Sequence, residues 1–163
     1  MIRTVAEADS QAIADIYNTY ILESTATFET EALTDDEMRA RISRLAAAGP
    51  YLVYEVDGCV VGYAYAHEWK ERAAFRGCFE TTVDVARGYE GRGIGSALML
   101  QLIDACRDLG ARQLIACITA ENTQSRRMHE RLGFTQVSLF RNVGLKFGRL
   151  LDVSDYQLGI SNE

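Results

Sequence analysis

The sequence predicts an α/β fold (α+β by some schemes) built around a mixed sheet. Three observations carry that reading. Two β-rich runs are joined by Asp57-Gly58, a hairpin signal. An alternating run, Phe79 to Val85, leads into a glycine-rich turn and then a helical pattern. Beyond it, strand-like and helix-like segments take turns to the end of the chain, so antiparallel early strands are followed by a β-α-β-α-β run.

Asp9 is placed to cap a first helix whose apolar stripe is Ile13, Ile16, Tyr17, Tyr20 and Ile21, a helical spacing. Thr34-Asp35-Asp36-Glu37 is a capping-box pattern, opening a second helix with Met38, Ile42 and Leu45 on one face. Gly49-Pro50 ends it. Tyr51 to Val56 and Cys59 to Ala66 form the hairpin strands. In the next strand Phe79, Thr81, Val83 and Val85 face one way, and Glu80, Thr82 and Asp84 the other. Ile94 to Leu109 reads as a helix closed by Gly110, and Leu114 to Ile118 as a short strand. Asn122 to Leu132 is a further helix, closed by Gly133. Phe134 to Phe140 and Leu150 to Leu158 read as late strands.

With 163 residues, 48% of them apolar and 25% charged, the chain has the balance of one soluble domain spanning 1–163. It has one proline, and no repeat or linker-like run is visible. A net charge of −6 and a pI near 5.0 argue against general nucleic-acid binding, which calls for a basic surface. An anionic ligand has to be held by backbone donors and a few arginines. Met1-Ile2-Arg3-Thr4 opens no signal-peptide pattern, and no apolar run approaches a membrane span. A cytoplasmic location with no membrane partner is therefore expected. Cys59, Cys78, Cys106 and Cys117 make no C-x-x-C pair and read as small buried thiols. With only His67 and His129 to add, no metal site is expected.

Val83-Asp84-Val85 is followed by Gly91-Arg92-Gly93-Ile94-Gly95-Ser96. A strand feeding a glycine turn that feeds a helix can hold a pyrophosphate. Gly93 and Gly95 lack Cβ, so a ligand can approach the backbone, and the helix start offers unpaired N–H groups and a positive dipole end. A dinucleotide fits less well, because Leu98 stands where the third small residue of that fingerprint belongs. A plain glycine-rich turn is the bland alternative.

Downstream lies Asn122-x-x-Ser125-x-x-x-His129-x-x-x-Gly133-Phe134. Together with the glycine turn it resembles the GNAT superfamily of acyl-CoA N-acyltransferases. Shorter blocks narrow the likeness: Ile16-Tyr17-Asn18, Thr27-Phe28-Glu29, Trp69-Lys70-Glu71-Arg72, Phe75-Arg76, Met128-His129-Glu130 and Val143-Gly144-x-Lys146-Phe147-Gly148-Arg149. In order and spacing these resemble the phosphinothricin / methionine sulfoximine acetyltransferase branch. The resemblance implies a single-domain GNAT fold, a central mixed, mostly antiparallel twisted sheet flanked by helices. It also implies acetyl-CoA as co-substrate, no metal, a small-molecule amine acceptor and a homodimer. Three positions depart from the branch. Glu90 stands where Arg or Gln is usual, Asp84 for a usual Tyr, and Leu150 for a usual Trp.

The chemistry implied is attack of a neutral amine on a thioester. A base must take the ammonium proton and a donor must face the oxyanion, but no covalent enzyme intermediate is needed if both substrates are held together. Glu80, on the strand leading to the coenzyme turn, is the first candidate base. His129 is the second candidate, as acid to the thiolate or as alternative base; a core histidine explains it equally. Asn122 is an N-cap on composition, to which the resemblance adds a bond to the coenzyme, with Ser125 beside it. By resemblance the Val83, Asp84 and Val85 backbone meets the acetyl and pantetheine portions, and Gly91, Arg92, Gly93, Ile94, Gly95 and Ser96 hold the pyrophosphate. Arg72, Phe75, Arg76 and Lys146 are the candidates for the acceptor pocket, since arginine binds a carboxylate with two prongs. Trp69 either lines that pocket or packs in the core. The same fold with another acceptor (a different amino acid, an aminoglycoside, a protein N-terminus) and a non-catalytic acyl-CoA sensor are the rival functions.

Overall fold

The computed structural model describes residues 1–162. In chain order the elements are β1 (Ile2–Thr4), α1 (Ser10–Glu23), α2 (Asp35–Ala48), β2 (Tyr51–Val56), β3 (Cys59–Glu68), β4 (Cys78–Val85), α3 (Ile94–Asp108), β5 (Gln113–Thr119), α4 (Thr123–Arg131), β6 (Thr135–Gln136), β7 (Phe140–Lys146) and β8 (Arg149–Gly159). The strands make one 8-stranded sheet in the order β1-β2-β3-β4-β5-β8-β6, with β7 also pairing β8. Only β4 and β5 run parallel among these pairings. The sheet is thus mixed and mostly antiparallel, as expected.

Local chemistry explains most of the boundaries. Asp57 and Gly58 both take left-handed φ, 50° and 79°, which a two-residue hairpin turn between β2 and β3 requires. At the head of α2 the Thr34 side chain accepts from Glu37 N–H, and the Glu37 carboxylate accepts from Thr34 N–H, the reciprocal capping box. After α4, Gly133 N–H donates to Glu130 O and Phe134 N–H to His129 O, with Gly133 at φ 100°. This helix ending accounts for the fixed spacing from His129 to Gly133-Phe134.

Asp9 does not cap α1. A single 3₁₀ turn precedes the helix, and the Asp9 carboxylate accepts instead from Ala6 N–H at 2.7 Å and from the Arg3 guanidinium at 2.8 and 2.9 Å. The late strands also differ from expectation. Phe134 to Phe140 is not one strand: Thr135–Gln136 pairs with β8, residues 137–139 belong to no strand, and Phe140 pairs with Val153 of β8 as the first residue of β7. The chain then re-enters the sheet as β7, which turns back into β8 through Phe147 and Gly148, both at positive φ.

Side chains of the sheet fall into two cores. On one face Leu98, Met99, Leu102 and Cys106 of α3 pack with Leu52, Val61, Leu114, Phe134 and Tyr156. On the other, Ile13 and Ile16 of α1 and Met38, Ile42 and Leu45 of α2 pack on Tyr51, Val53 and Tyr63. The alternation in β4 divides between them: Phe79, Val83 and Val85 join the α3 side. Glu80, Thr82 and Asp84 lie opposite His67, Tyr65 and Tyr63 on the other. Among the described residues no helix is long and apolar enough to cross a membrane.

Candidate active site

β4 and β5 pair only over Cys78↔Gln113, Phe79↔Leu114 and Glu80↔Ile115, and then part. Beyond Glu80 the edge of β4 is open. Ala86 N–H donates to Val61 O at 2.8 Å, which fixes the phase of the β3–β4 ladder. By alternation the N–H and C=O groups of Val83 and Val85 turn away from β3, into the gap. Tyr20 Oη confirms the phase by donating to Val85 O from that side at 2.5 Å.

Two cavities meet in this gap. One, of about 270 Å³, is lined by the glycine turn, Tyr89, Glu90 and one side of α4, including Gln124, Met128 and Arg131. The other, of about 460 Å³, is lined by Glu80 to Asp84, Ala116 to Thr119, Ala26 to Glu29, Tyr17, Tyr65 and His129. Ala26, Val83, Asp84, Asn122 and Ser125 belong to both.

In the first cavity the expected anion-binding features are assembled. Gly91 and Gly93 hold φ of 73° and 80°, a region costly to residues with a Cβ. Gly93 is the N-cap of α3, and no side chain caps the helix, so its first-turn N–H groups are open to a ligand. Gly95 has a different reason to be small: a Cβ there would lie 3.1 Å from Met128 Sδ, so the residue lets α3 pack against α4. Glu90 bends back to accept from Gly88 N–H at 2.7 Å, shaping the turn. Arg92 stacks over Tyr89, 4.9 Å from the ring centre. Arg131 is a lining cation that pattern reading missed; its place in the last turn of the His129 helix was the available signal. Asn122 caps α4 as expected, its Oδ1 accepting from Ser125 N–H at 3.2 Å.

The wall of the second cavity is the segment between α1 and α2. Tyr17 Oη bonds Thr27 Oγ1 at 2.8 Å and also Glu29, and Arg41 grips Glu29 with two N–H groups at 2.7 and 2.8 Å. Asn18 clamps both backbone groups of Leu33, and Thr119 Oγ1 donates to Thr25 O at 2.6 Å. Lys146, only 4% exposed, donates its Nζ to Ser24 O at 2.6 Å and Thr27 O at 2.8 Å. Lys146 therefore holds this wall from behind and does not line the cavity. Tyr17-Asn18, Thr27-Phe28-Glu29 and Gly144-x-Lys146, far apart in sequence, converge on one loop.

Four side chains here can exchange protons. Glu80 Oε2 is 3.1 Å from His67 Nε2. His67 Nδ1 donates to Glu68 O at 2.9 Å, so both ring nitrogens carry protons when the pair forms, and the Glu80 bond raises the His67 pKa. His129 Nδ1 lies 2.8 Å from Ser125 O, and since a carbonyl only accepts, Nδ1 carries the proton. Burial pushes this imidazole below its ordinary pKa. Neutral His129 thus offers a lone pair at Nε2, suited to accept a proton and not to give one to a thiolate. Asp84 Oδ2 accepts from Tyr63 Oη at 2.7 Å, and burial pushes its carboxyl up to about 7. Cys117 also lines the cavity, where desolvation, then Asp155 and Glu80, push its thiol up to about 11, unfavourable for a nucleophile.

Arg72, Phe75 and Arg76 lie on the connection from β3 to β4, outside the lining of either cavity. Trp69 packs edge-on against Phe75 at 5.6 Å with Lys70 over its ring, a small cluster of its own on that connection. Leu150 is 60% exposed on the β7–β8 hairpin and lines neither cavity.

The family described as "Acetyltransferase (GNAT) family" matches residues 13–134. The phosphinothricin N-acetyltransferase of Alcaligenes faecalis is 42% identical over 93% of this chain and 78% of its own length. The L-methionine sulfoximine/L-methionine sulfone acetyltransferase of Salmonella typhimurium is 37% identical over 96% of this chain and 92% of its own. Among solved structures, a GNAT superfamily phosphinothricin acetyltransferase from Sinorhizobium meliloti in complex with AcCoA superposes with a TM-score of 0.95. It is 34% identical, over 99% of this chain and 88% of that one.

Proposed function

The chain belongs to the GNAT family of acetyltransferases, and from that premise we propose a specific reaction. Acetyl-CoA donates its acetyl group to the amine of a small amino-acid-like acceptor of the methionine sulfoximine or phosphinothricin type, by direct attack in a ternary complex. The observation that carries this is the junction of the two cavities at the parted strands. A pyrophosphate at Gly91 to Ser96, with Arg131 nearby, directs the coenzyme's arm along the open edge of β4. The Val83 N–H is then the donor for the thioester carbonyl oxygen, and Val85 the partner of the arm. Glu80 and His129 stand on the acceptor cavity as relays that carry the amine proton towards water.

The names of the relatives support the amino-acid acceptor. A second reading, transfer to an amine without a carboxylate, has one observation in its favour. The acceptor cavity is lined by Glu29, Glu80 and Asp84, and by no lysine or arginine among the described residues. Thiol release from acetyl-CoA decides between them when measured with methionine sulfoximine, phosphinothricin, their decarboxylated analogues, an aminoglycoside and a short peptide. A charge-assisted bond to a carboxylate contributes about 1.5–3 kcal/mol, so the amino acids are expected to lead their analogues by roughly tenfold or more. Analogues, aminoglycoside or peptide ahead of every free amino acid overturns the acceptor class and leaves the transfer standing.

The proposal includes a homodimer in the cytoplasm, where acetyl-CoA is available. Its support is an apolar surface on the sheet's free edge: Val143, Leu145 and Leu150 are 60%, 70% and 60% exposed, and among the described residues β7 pairs only with β8. Sedimentation should give twice the chain mass, and Leu145→Asp with Leu150→Asp should halve it.

A further inference from the structure

The acceptor cavity has three carboxylates, and two of them already have a basic side chain as partner. Arg41 grips both oxygens of Glu29, and His67 faces Glu80. Among the described residues Asp84 has only the Tyr63 hydroxyl, on Oδ2. Its Oδ1 accepts no described bond, and it is not sealed away, because every sealed side-chain polar atom among the described residues has a partner. Of the residues common to both cavities, Asp84 alone can ionise near neutrality.

We propose that Asp84 receives the acceptor's ammonium group at the junction of the cavities and takes its proton as the amine attacks. This rests on the acetyltransferase reading above. Glu80 lies four residues back on the same strand, about 13 Å away along the backbone at ~3.3 Å per residue. It sits where β4 and β5 still pair, at the closed end of the gap. Asp84 is the carboxylate beside Val83, where the thioester carbonyl is expected.

The surroundings suit a proton acceptor. Tyr51 from β2, Tyr63 and Tyr65 from β3 and Tyr20 from α1 face the carboxyl, and burial raises each phenol, so all stay neutral. On the loop beyond β4, Arg87 is paired with Glu23, and Glu90 with Gly88 N–H. Across the gap His129 is neutral. Among the described residues no fixed cation neutralises Asp84, so the arriving ammonium is its counter-charge. Burial holds the carboxyl near 7, which matches a base working near neutral pH.

In the step, the ammonium gives one proton to Asp84. The freed lone pair forms the C–N bond at the thioester carbonyl carbon. The C–S bond breaks with its electron pair on the coenzyme sulfur, which takes the second nitrogen proton and leaves as thiol. Asp84 then returns its proton to water.

The test is steady-state acetylation from about pH 5.5 to about pH 9, chosen to bracket a base near neutrality. The acceptor is methionine sulfoximine, or whichever panel amine the parent acetylates fastest. Parent, Asp84→Asn, Asp84→Glu and Glu80→Gln are compared, with thermal unfolding and acetyl-CoA binding measured on each. The parent's kcat/KM should fall with acid through a single group near neutrality. Asp84→Asn should lose about 10²–10⁴-fold in turnover at unchanged acetyl-CoA affinity, and Asp84→Glu should restore part of it with a displaced acid limb. An Asp84→Asn protein that keeps parental turnover and the parental acid limb overturns the proposal, as does disappearance of that limb in Glu80→Gln alone. If the parent acetylates no amine, the acetyltransferase reading fails along with it; an active parent with an indifferent Asp84→Asn sinks Asp84 only.

Discussion

Asp84 should also cost the fold stability, and the cost has a definite pH dependence. In the unfolded chain its carboxyl ionises at about 3.8, whereas in the fold burial holds it near 7. The ionised form is thus the one the fold disfavours. Below the unfolded value both states are protonated and nothing is lost. As pH climbs from about 4 to about 7, the unfolded chain releases a proton that the folded chain keeps, and stability falls. A little over three decades of acidity, at about 1.4 kcal/mol each, sets a ceiling of ~4 kcal/mol. Asp84→Asn keeps the shape and an oxygen for the Tyr63 hydroxyl but cannot ionise. Urea and thermal unfolding followed by circular dichroism should therefore show the variant gaining on the parent as pH rises, by up to ~4 kcal/mol at pH 8. For a chain of this size that is roughly 8–16 °C in Tm. A gain that does not grow with pH would mean better packing, and no gain at pH 8 would mean the carboxyl ionises in the fold as easily as in water. Either result refutes the reasoning.

Gly93→Val puts a β-branched residue at φ 80°, a strain of about 1–2 kcal/mol, and should raise the KM for acetyl-CoA far more than that for the acceptor. Unchanged coenzyme affinity in the folded variant removes the glycine turn from the coenzyme site. Glu80→Gln should lower turnover while sparing acetyl-CoA binding, measured by calorimetry. Because Glu80 raises the His67 pKa, their mutual bond is present at low pH and lost as pH rises through the folded His67 value, so NMR titration of His67 should move down in Glu80→Gln. Lys146→Met leaves the Ser24 and Thr27 carbonyls without their charged donor and should cost about 1.5–3 kcal/mol of stability, with a higher acceptor KM as the wall loosens.

The elements that the sequence made legible are those specified locally. The Thr34-Glu37 box, the Asp57-Gly58 turn and the Gly133-Phe134 helix ending each fix a boundary within a few residues, so pattern and structure agree there. β1 escaped because three residues carry no period. β7 escaped because its pairing with β8 shifts between Phe140 and Gly144, with Asn142 at φ 57°, and because Val143 and Leu145 face outward. For the candidate site, the glycine turn and Asn122 stand out by spacing, and Glu80 and His129 by position and resemblance; these residues line the two cavities. Lys146 was misread as a pocket cation: its carbonyl partners lie 122 and 119 residues away, a relation no local pattern reveals. Asp84 reads in sequence as a departure from a family pattern and, by resemblance, as backbone beside the coenzyme; neither points to its carboxyl. Its meaning depends on Tyr63 across the ladder and on the gap between β4 and β5.

The most direct test of the account is a rapid-mixing experiment on the order of events. The protein is first mixed with acetyl-CoA alone, and free thiol and intact-protein mass are followed; methionine sulfoximine is then added. With both substrates held at one junction, and Cys117 a poor nucleophile, no thiol should appear and no acetyl group should join the chain before the amine arrives. Thiol and N-acetylated acceptor should then rise together in equal amounts. A burst of thiol equal to the protein concentration in the absence of amine, with one acetyl group retained on the chain, would contradict direct transfer.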